Sequence, residues 1–156
     1  MKKKLFYVFI LIWVLLFVVQ CKKIAYQEMK SFPDLTWHMN NIVKFNMPIE
    51  DTLQLYDFYV LISHTNNYPY MNLYCFVTSI YPGDSIRCDT VNFILANEQG
   101  SWLGKKHGKF YDNEILVARK VRFEKLGMYS FEFVQAMRDT LLKGIHSFGI
   151  KLVPYK

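Results

Sequence analysis

Alternation of apolar and polar side chains at every second position most constrains the fold of this chain. The clearest example is the segment DTLQLYDFYVLIS, residues 51–63. In an extended chain its side chains fall into two opposed sets, which are Leu53, Leu55, Asp57 and Tyr59 against Gln54, Tyr56, Phe58 and Val60. A period of two residues is the period of a β-strand. The segment is therefore predicted to be a strand.

Similar runs, rich in aromatic and β-branched residues, recur about every 10 to 15 residues, with turn signals such as YPGDS between them. They are LTWHMNNIVKF, MNLYCFVTSI, IRCDTVNFILA, ILVARKVRF, MYSFEFVQ and IHSFGIKLVPY. We predict an all-β fold, an antiparallel, jelly-roll-like β-sandwich of about seven or eight strands. One short helix is predicted at AMRDTLLKG, residues 136–144, with Gly144 as its C-terminal cap.

The N-terminus combines a basic cluster, MKKK, with an uncharged apolar run over residues 5–19 and a cysteine, Cys21. A spanning helix needs about 20 apolar residues, whereas a secretory signal needs a shorter run after positive charges. Three interpretations follow, namely a lipoprotein signal, a retained anchor helix and an ordinary signal peptide. A cysteine directly after the run favours the first, although Gln20 stands where such signals usually have a small residue.

This interpretation sets the predicted boundaries. Residues 1–20 are a lipoprotein signal peptide, residues 21–34 are a lipidated tether with a candidate first strand near 24–29, and residues 35–156 are the β-sandwich domain. Cys21 is the predicted lipidation site. Several acyl chains on one cysteine would hold the chain firmly on a membrane, whereas a single chain gives only marginal attachment.

The charge of the chain argues against nucleic acid as a partner. The formal charge is +6, but Lys2, Lys3 and Lys4 belong to the signal, and their removal leaves 16 basic against 13 acidic side chains. An exported domain with this balance and no Arg/Lys stripe lacks the electrostatic footprint of nucleic-acid binding. Membrane and envelope proteins are the expected partners.

Two cysteines remain after Cys21, and they flank the predicted hairpin turn YPGD. A tight turn would place Cys75 and Cys88 nearly opposite each other on neighbouring strands. In an oxidising compartment the two could form a disulfide. The alternative is a pair of buried free thiols.

Motifs of catalysis or cofactor binding are missing from the sequence. The four histidines are scattered, and no metal-ligand spacing, nucleophile elbow or phosphate loop occurs. We therefore predict no enzyme activity, no cofactor and no metal. Two weaker alternatives remain, a carboxylate pair such as Asp84 and Asp89, and a calcium site at Asp112 and Glu114.

The segment GSWLGKKHGKF, residues 100–110, is the one loop with functional character. It places Trp102 among three glycines and ahead of Lys105 and Lys106. An exposed tryptophan beside lysines would suit contact with a glycan or a protein. In the alternative interpretation Trp102 closes one end of the sandwich and the lysines are solvated.

An ordered set of residues and segments along the chain resembles a known family. The set is Cys21, Trp37, Phe45, Asp51, Tyr56, YPYMNLYCF (68–76), DTVNFILANEQGSWLG (89–104), GMYSFEFVQAMR (127–138) and LKGIHSFGIKL (142–152). The chain resembles the gliding-motility-associated lipoproteins called GldH, from the Bacteroidetes. The resemblance implies a non-catalytic, lipid-anchored envelope protein in a system associated with adhesin movement and type IX secretion.

The membrane leaflet is predicted from the residues that follow Cys21. Lys22 and Lys23 stand there in place of an acidic cluster, which is a kind of signal linked to surface display in this phylum. We therefore expect the domain on the periplasmic side of the outer membrane. The sequence leaves open a role in capture of glycan or protein at the cell surface, or in secretion.

Overall fold

A computed structural model describes residues 24–156, which form eleven β-strands. The first sheet has five antiparallel strands in the order β1-β11-β4-β8-β7. Its strands are β1 (Tyr26–Ser31), β4 (Tyr56–Thr65), β7 (Lys105–His107), β8 (Phe110–Val121) and β11 (Ile145–Pro154).

The second sheet has four antiparallel strands in the order β3-β9-β5-β6, and a two-stranded ribbon pairs β10 with β2. The strands of the second sheet are β3 (Val43–Ile49), β5 (Asn72–Ile80), β6 (Ile86–Ile94) and β9 (Gly127–Gln135). The ribbon consists of β2 (Thr36–His38) and β10 (Leu141–Lys143).

The two sheets pack face to face around an aromatic core. Strand β3 shows the cause, because its residues are alternately buried and exposed and its buried side chains include Phe45 and Met47. Phe148 of β11 meets Phe133 of β9 with ring centroids 4.8 Å apart, and Phe45 at 6.4 Å. Contacts of this kind between inward-facing side chains join the layers of a sandwich.

The predicted fold class, an antiparallel sandwich, is confirmed, and so is the hairpin at YPGD. Gly83 and Asp84 have φ values of 94° and 62° in its turn. The segment LTWHMNNIVKF was predicted as one strand, but it divides between β2 and β3, with Trp37 and Phe45 fully buried in different elements.

The helix predicted at residues 136–144 is wrong, because the described residues contain no helix there. Residues 141–143 form β10, in which Leu142 is buried opposite Trp37 of β2. Nine residues are too few for a stable isolated helix, so tertiary pairing decides the conformation. Gly144 has a φ of 89° in the tight turn into β11, where a Cβ would lie 2.9 Å from the Tyr68 Cα.

The segment predicted as a tether contributes a strand to the first sheet. β1 pairs with β11 along its whole length, the Ala25 N–H donates to the Leu152 carbonyl at 2.9 Å, and Phe32 is buried. The candidate strand near 24–29 is thus observed, and the folded unit extends N-terminally of residue 35. Cys21 and the predicted signal lie outside the described residues.

The strand registers define two ends of the sandwich. Tyr26, Leu152, Phe58 and Ala118 lie side by side across the first sheet at the end where the described chain begins, which we call the proximal end. The turns 81–85 and 122–126 lie at the same end of the sandwich. The opposite, distal end carries the β2–β10 ribbon. Within residues 24–156 there is no helix long and apolar enough to cross a membrane.

Candidate functional site

An open cleft of about 760 Å³ lies between the two sheets along β6 and β8 and reaches the proximal end. Its opening follows from the topology. β6 pairs only with β5, and β7 covers β8 only as far as Asp112, so both strands present a free edge. No described strand bridges these edges, and the space between the sheets stays accessible from the side.

The inner wall of the cleft is apolar because strand alternation directs these side chains between the sheets. The wall combines aromatic and aliphatic residues from several strands, namely Phe58, Val60, Val77, Val91, Ala118, Phe131 and Phe133. Phe58 and Phe131 come from opposite sheets, and their ring centroids are 5.2 Å apart. A mainly apolar space of this size is within the range of small-molecule pockets, about 300–1,000 Å³.

Charged groups stand at the mouth of the cleft. Arg87 and Asp89 occupy inward-facing positions of β6 and form an ion pair, with Nε and Oδ2 2.8 Å apart. The hydrogen bond to Asp89 raises the pKa of the Arg87 guanidinium, which remains charged. Arg122 and Lys125 extend the rim from the β8–β9 connection. Inward-pointing charges on an edge strand also discourage pairing with a foreign strand.

Irregularity in β8 shapes the other lip of the cleft. The pairing with β4 shifts register on both sides of Phe58, so that β8 carries bulged residues before and after Ala118. Lys120 has a φ of 54°, and its N–H donates to Asp57 Oδ1 at 3.1 Å. Bulges bend a strand and redirect its side chains. Here they bend the part of β8 that lines the cleft.

Trp102 lies away from the cleft, at the distal end, where it is half-buried. Its ring meets His64 at 4.4 Å between centroids, and its Nε1–H donates to Asn66 Oδ1 at 3.0 Å. Lys105 and Lys106 are exposed on β7. This position agrees with the interpretation in which Trp102 closes an end of the sandwich. A ligand contact through Trp102, Lys105 and Lys106 stays a prediction.

His64 is a buried polar residue that sequence reasoning did not single out. Its side chain is fully buried among the rings of Tyr68, Trp102 and Tyr111. Nδ1 lies 3.0 Å from the Thr65 carbonyl, whereas Nε2 has no hydrogen-bond partner among the described residues. Burial lowers the pKa of this imidazole, so the neutral form is favoured.

Cys75 and Cys88 do not lie opposite each other, contrary to the prediction. Thr78 is the partner of Cys88 in the β5–β6 register, and Val91 is the partner of Cys75. Cys75 faces the core, where burial raises the pKa of its thiol, and Cys88 is exposed on the outer face. Cys88 lies three positions before Val91, and an odd separation along a strand places two side chains on opposite faces. Both thiols are free in this structure.

The carboxylates considered as catalytic or calcium ligands have separate partners. Asp84 lies in the hairpin turn, and Asp89 pairs with Arg87. Asp112 accepts a hydrogen bond from Ser63 Oγ at 2.6 Å, and Glu114 pairs with Lys151. Residues 24–156 contain no group of three or more His, Cys, Asp or Glu side chains that could hold a metal ion.

Sequence reasoning missed the cleft because its residues come from five different strands, β4, β5, β6, β8 and β9. One signal was present, namely Arg87 and Asp89 at inward positions of β6, which interrupt an otherwise apolar face. Charges at core-facing positions indicate either an unclosed edge or a site. The structure brings them beside Arg122 and Lys125, which lie about 35 residues further along the chain.

Comparisons with known proteins identify the family of this chain. The sequence profile of the GldH lipoproteins matches residues 24–152, which include all but the end of β11. The chain is 29% identical over 155 residues to the "Gliding motility lipoprotein GldH homolog" of Christiangramia forsetii, covering 94% of each chain. It is 28% identical over 138 residues to the "Gliding motility lipoprotein GldH" of Flavobacterium johnsoniae, covering 84% of this chain and 85% of that protein. The chain therefore belongs to the GldH lipoprotein family.

Proposed function

We propose that this protein is a lipid-anchored, non-catalytic accessory component of the gliding motility machinery. The observation that carries the proposal is the family match over residues 24–152, together with the names of two relatives as gliding motility lipoproteins. Acylated Cys21 would hold the sandwich on the periplasmic side of the outer membrane. Motility and envelope proteins would be its partners.

The position of Cys21 supports the anchor. The cysteine follows the apolar run directly and stands five positions before Tyr26, the first residue of β1. An extended chain of five residues reaches at most about 17 Å. A lipid on Cys21 would therefore hold the proximal end close to the membrane surface.

The chemistry of the cleft supports a non-catalytic role. Its wall is apolar, and Arg87 and Asp89 at its mouth satisfy each other through their ion pair. Acid–base catalysis needs groups of shifted pKa that can exchange protons with a substrate. A guanidinium that stays charged beside its carboxylate is suited to binding, and it is poorly suited to proton transfer.

The anchor is tested by replacing Cys21 with Ala in the native host and labelling cells with a clickable fatty acid. We expect the variant to lose the label and leave the membrane fraction. Cys88→Ala is the matched control, because Cys88 is an exposed cysteine outside the anchor, and it should keep both label and location. Full labelling of the Cys21→Ala variant would refute the anchor.

The motility role is tested by deleting the gene and measuring colony spreading, with complementation by the wild-type chain and by Cys21→Ala. Spreading should return only with the wild-type chain. Normal spreading of the deletion strain would exclude a required role in gliding.

The periplasmic orientation is tested by treating intact cells and lysed cells with protease. We expect the domain to be protected in intact cells and to be digested in lysed cells.

A second candidate function is protein capture in surface display or type IX secretion. It is favoured by apolar side chains on the outer face of the second sheet, where Tyr74 is 42% exposed, Phe76 55% and Ile94 51%. Neighbouring exposed apolar groups of this kind are typical of contact surfaces. Phe76→Ser should then reduce the set of envelope proteins recovered by crosslinking, whereas Leu53→Ser, at the proximal end, should not.

A further inference from the structure

We propose that the cleft between β6 and β8 binds the acyl chain of an anionic membrane lipid, with the lipid head group at the basic rim. The inference rests on the proposed lipid anchor for the source of this ligand. The cleft itself is argued from the described residues alone. Three observations carry it, namely the chemistry of the wall, the charge of the rim and the position of the mouth.

The wall provides the surface that an acyl chain requires. Phe58 and Val60 from one sheet face Phe131 and Phe133 from the other, and the volume is about 760 Å³. Transfer of each methylene group from water to such a wall is favourable, because the hydrophobic free energy grows with the apolar area removed from water. Because the space is open along two strand edges, a long flexible chain can enter from the side, without the deformation that a closed cavity would need.

The rim provides cationic groups for an anionic head. Arg122 and Lys125 line the cleft, and neither forms an ion pair with any residue in the described part of the chain. Arg87 differs, because Asp89 already neutralises it. Glu124 lies between these two cations in sequence. Two cations and one carboxylate leave this part of the rim with a net charge of +1. Guanidinium and ammonium groups bind carboxylate and phosphate oxygens through charge-assisted hydrogen bonds.

The mouth lies at the end of the sandwich from which the anchor leaves. Tyr26 of β1 is level with Phe58 and Ala118, which line the cleft, and three strand spacings separate β1 from β8. Three spacings correspond to about 14 Å. Cys21 is only five positions before Tyr26. A membrane that holds Cys21 therefore lies within reach of the cleft mouth, and its lipids are the nearest apolar chains.

The test uses residues 24–156, which contain all eleven strands and the whole described core and so constitute the folded unit. The probe is cis-parinaric acid, a fluorescent fatty acid with a carboxylate head. We expect saturable binding that unlabelled palmitate displaces. Val91→Trp should weaken the affinity at least about tenfold by filling the cleft. Ile86→Trp introduces the same ring on the same strand outside the cleft and should bind as the wild type does.

A second pair of variants tests the rim. Arg122→Glu with Lys125→Glu should weaken binding of the fatty acid and leave binding of the uncharged alcohol of equal chain length unchanged. Arg119→Glu makes a similar change of charge on β8 without lining the cleft and is the control. Displacement by phosphatidylglycerol but not by phosphatidylethanolamine would identify an anionic phospholipid, and displacement by fatty acid alone would identify a free acid. Circular dichroism and thermal unfolding check that each variant folds.

Three results would overturn the proposal. They are the absence of saturable binding, equal binding by Val91→Trp and Ile86→Trp, and displacement by an extended apolar peptide but not by palmitate. The last result would make the cleft a peptide site. Because residues 24–156 lack Cys21, these measurements can fail while the Cys21 labelling experiment succeeds, and the converse also holds.

Discussion

The two ends of the sandwich differ in how they are closed. At the distal end the β2–β10 ribbon covers the core, and Trp37 packs between Phe32 and Phe148, with ring centroids 5.1 and 5.0 Å away. At the proximal end no strand within residues 24–156 covers the space between β6 and β8. Both ends are rich in aromatic rings. The two ends therefore differ in strand connectivity and in the placement of charged residues. They do not differ in having apolar interiors.

The two ends of one fold thus separate closed aromatic packing from an accessible apolar surface. Buried aromatic packing closes the distal end, where His64 and Trp102 also meet. The proximal cleft keeps its wall apolar but leaves it accessible, and charges at its mouth limit edge pairing. Substitutions at the two ends should therefore have very different effects on stability.

The largest effect is expected from Trp37→Ala. Trp37 is fully buried, and its Nε1–H donates to the Asn41 carbonyl at 2.8 Å. Removal of such a side chain leaves a cavity and should lower the free energy of unfolding by about 3–5 kcal/mol, measured by urea denaturation. Phe131→Ala removes an aromatic ring from the open cleft and is the matched control, which should cost clearly less. Equal losses would contradict the difference between the ends.

A smaller effect is expected from Gly149→Ala, which tests how β1 is held at the edge of the first sheet. An added Cβ would lie 2.5 Å from the Glu28 carbonyl oxygen and 3.0 Å from the Met29 Cα. Since backbone must move, we expect a loss of about 1–3 kcal/mol and faster hydrogen exchange in β1. At Gly104 the three atoms nearest to a new Cβ belong to the Asn113 side chain, which can move more easily than backbone, so Gly104→Ala should cost less. Unchanged exchange in β1 would refute this account.

The pH dependence of stability should reveal His64. Burial lowers its pKa below the ordinary 6.5, so the unfolded chain binds a proton that the folded chain excludes. Stability should therefore fall as the pH decreases below about 6.5, by up to about 1.4 kcal/mol per pH unit until the folded-state pKa is reached. His64→Phe should remove this part of the dependence in unfolding curves between pH 7.5 and 5.5. A steeper curve for the variant would contradict it.

The smallest effect is expected from the ion pair at the cleft mouth. Arg87 and Asp89 are 68% and 39% exposed, so water and salt screen their attraction. A double-mutant cycle with Arg87→Ala and Asp89→Ala should give a coupling free energy within the error of the unfolding measurement. A large coupling would mean that the mouth is less hydrated than its exposure indicates.

The strands were largely predictable because alternation is a local property of the chain. The pattern at residues 51–63 predicts β4, although the strand begins only at Tyr56, and the segment YPGDS predicts the β5–β6 hairpin. The helix at 136–144 failed because Leu142 is buried by pairing with Trp37, more than a hundred positions away. No local pattern carries that information.

The site was less predictable, because it depends on sheet order and on register. Cys75 and Cys88 show the limit of sequence reasoning, since a shift of three residues in the β5–β6 register separates their faces. The cleft depends on which strands lie at the edges, and this follows from the long connections of the chain. Arg87 and Asp89 at inward positions are the one local sign of it.

The place of β1 in the first sheet has a mechanical consequence. β1 starts at the proximal end and runs away from it, pairing with β11 through six residue pairs. A force applied along the chain at Tyr26, parallel to β1, would load its pairing with β11 in shear. Antiparallel hydrogen bonds stand perpendicular to that axis, so all six pairs would share the load at once. Such a shear arrangement resists pulling far better than one in which the hydrogen bonds open singly.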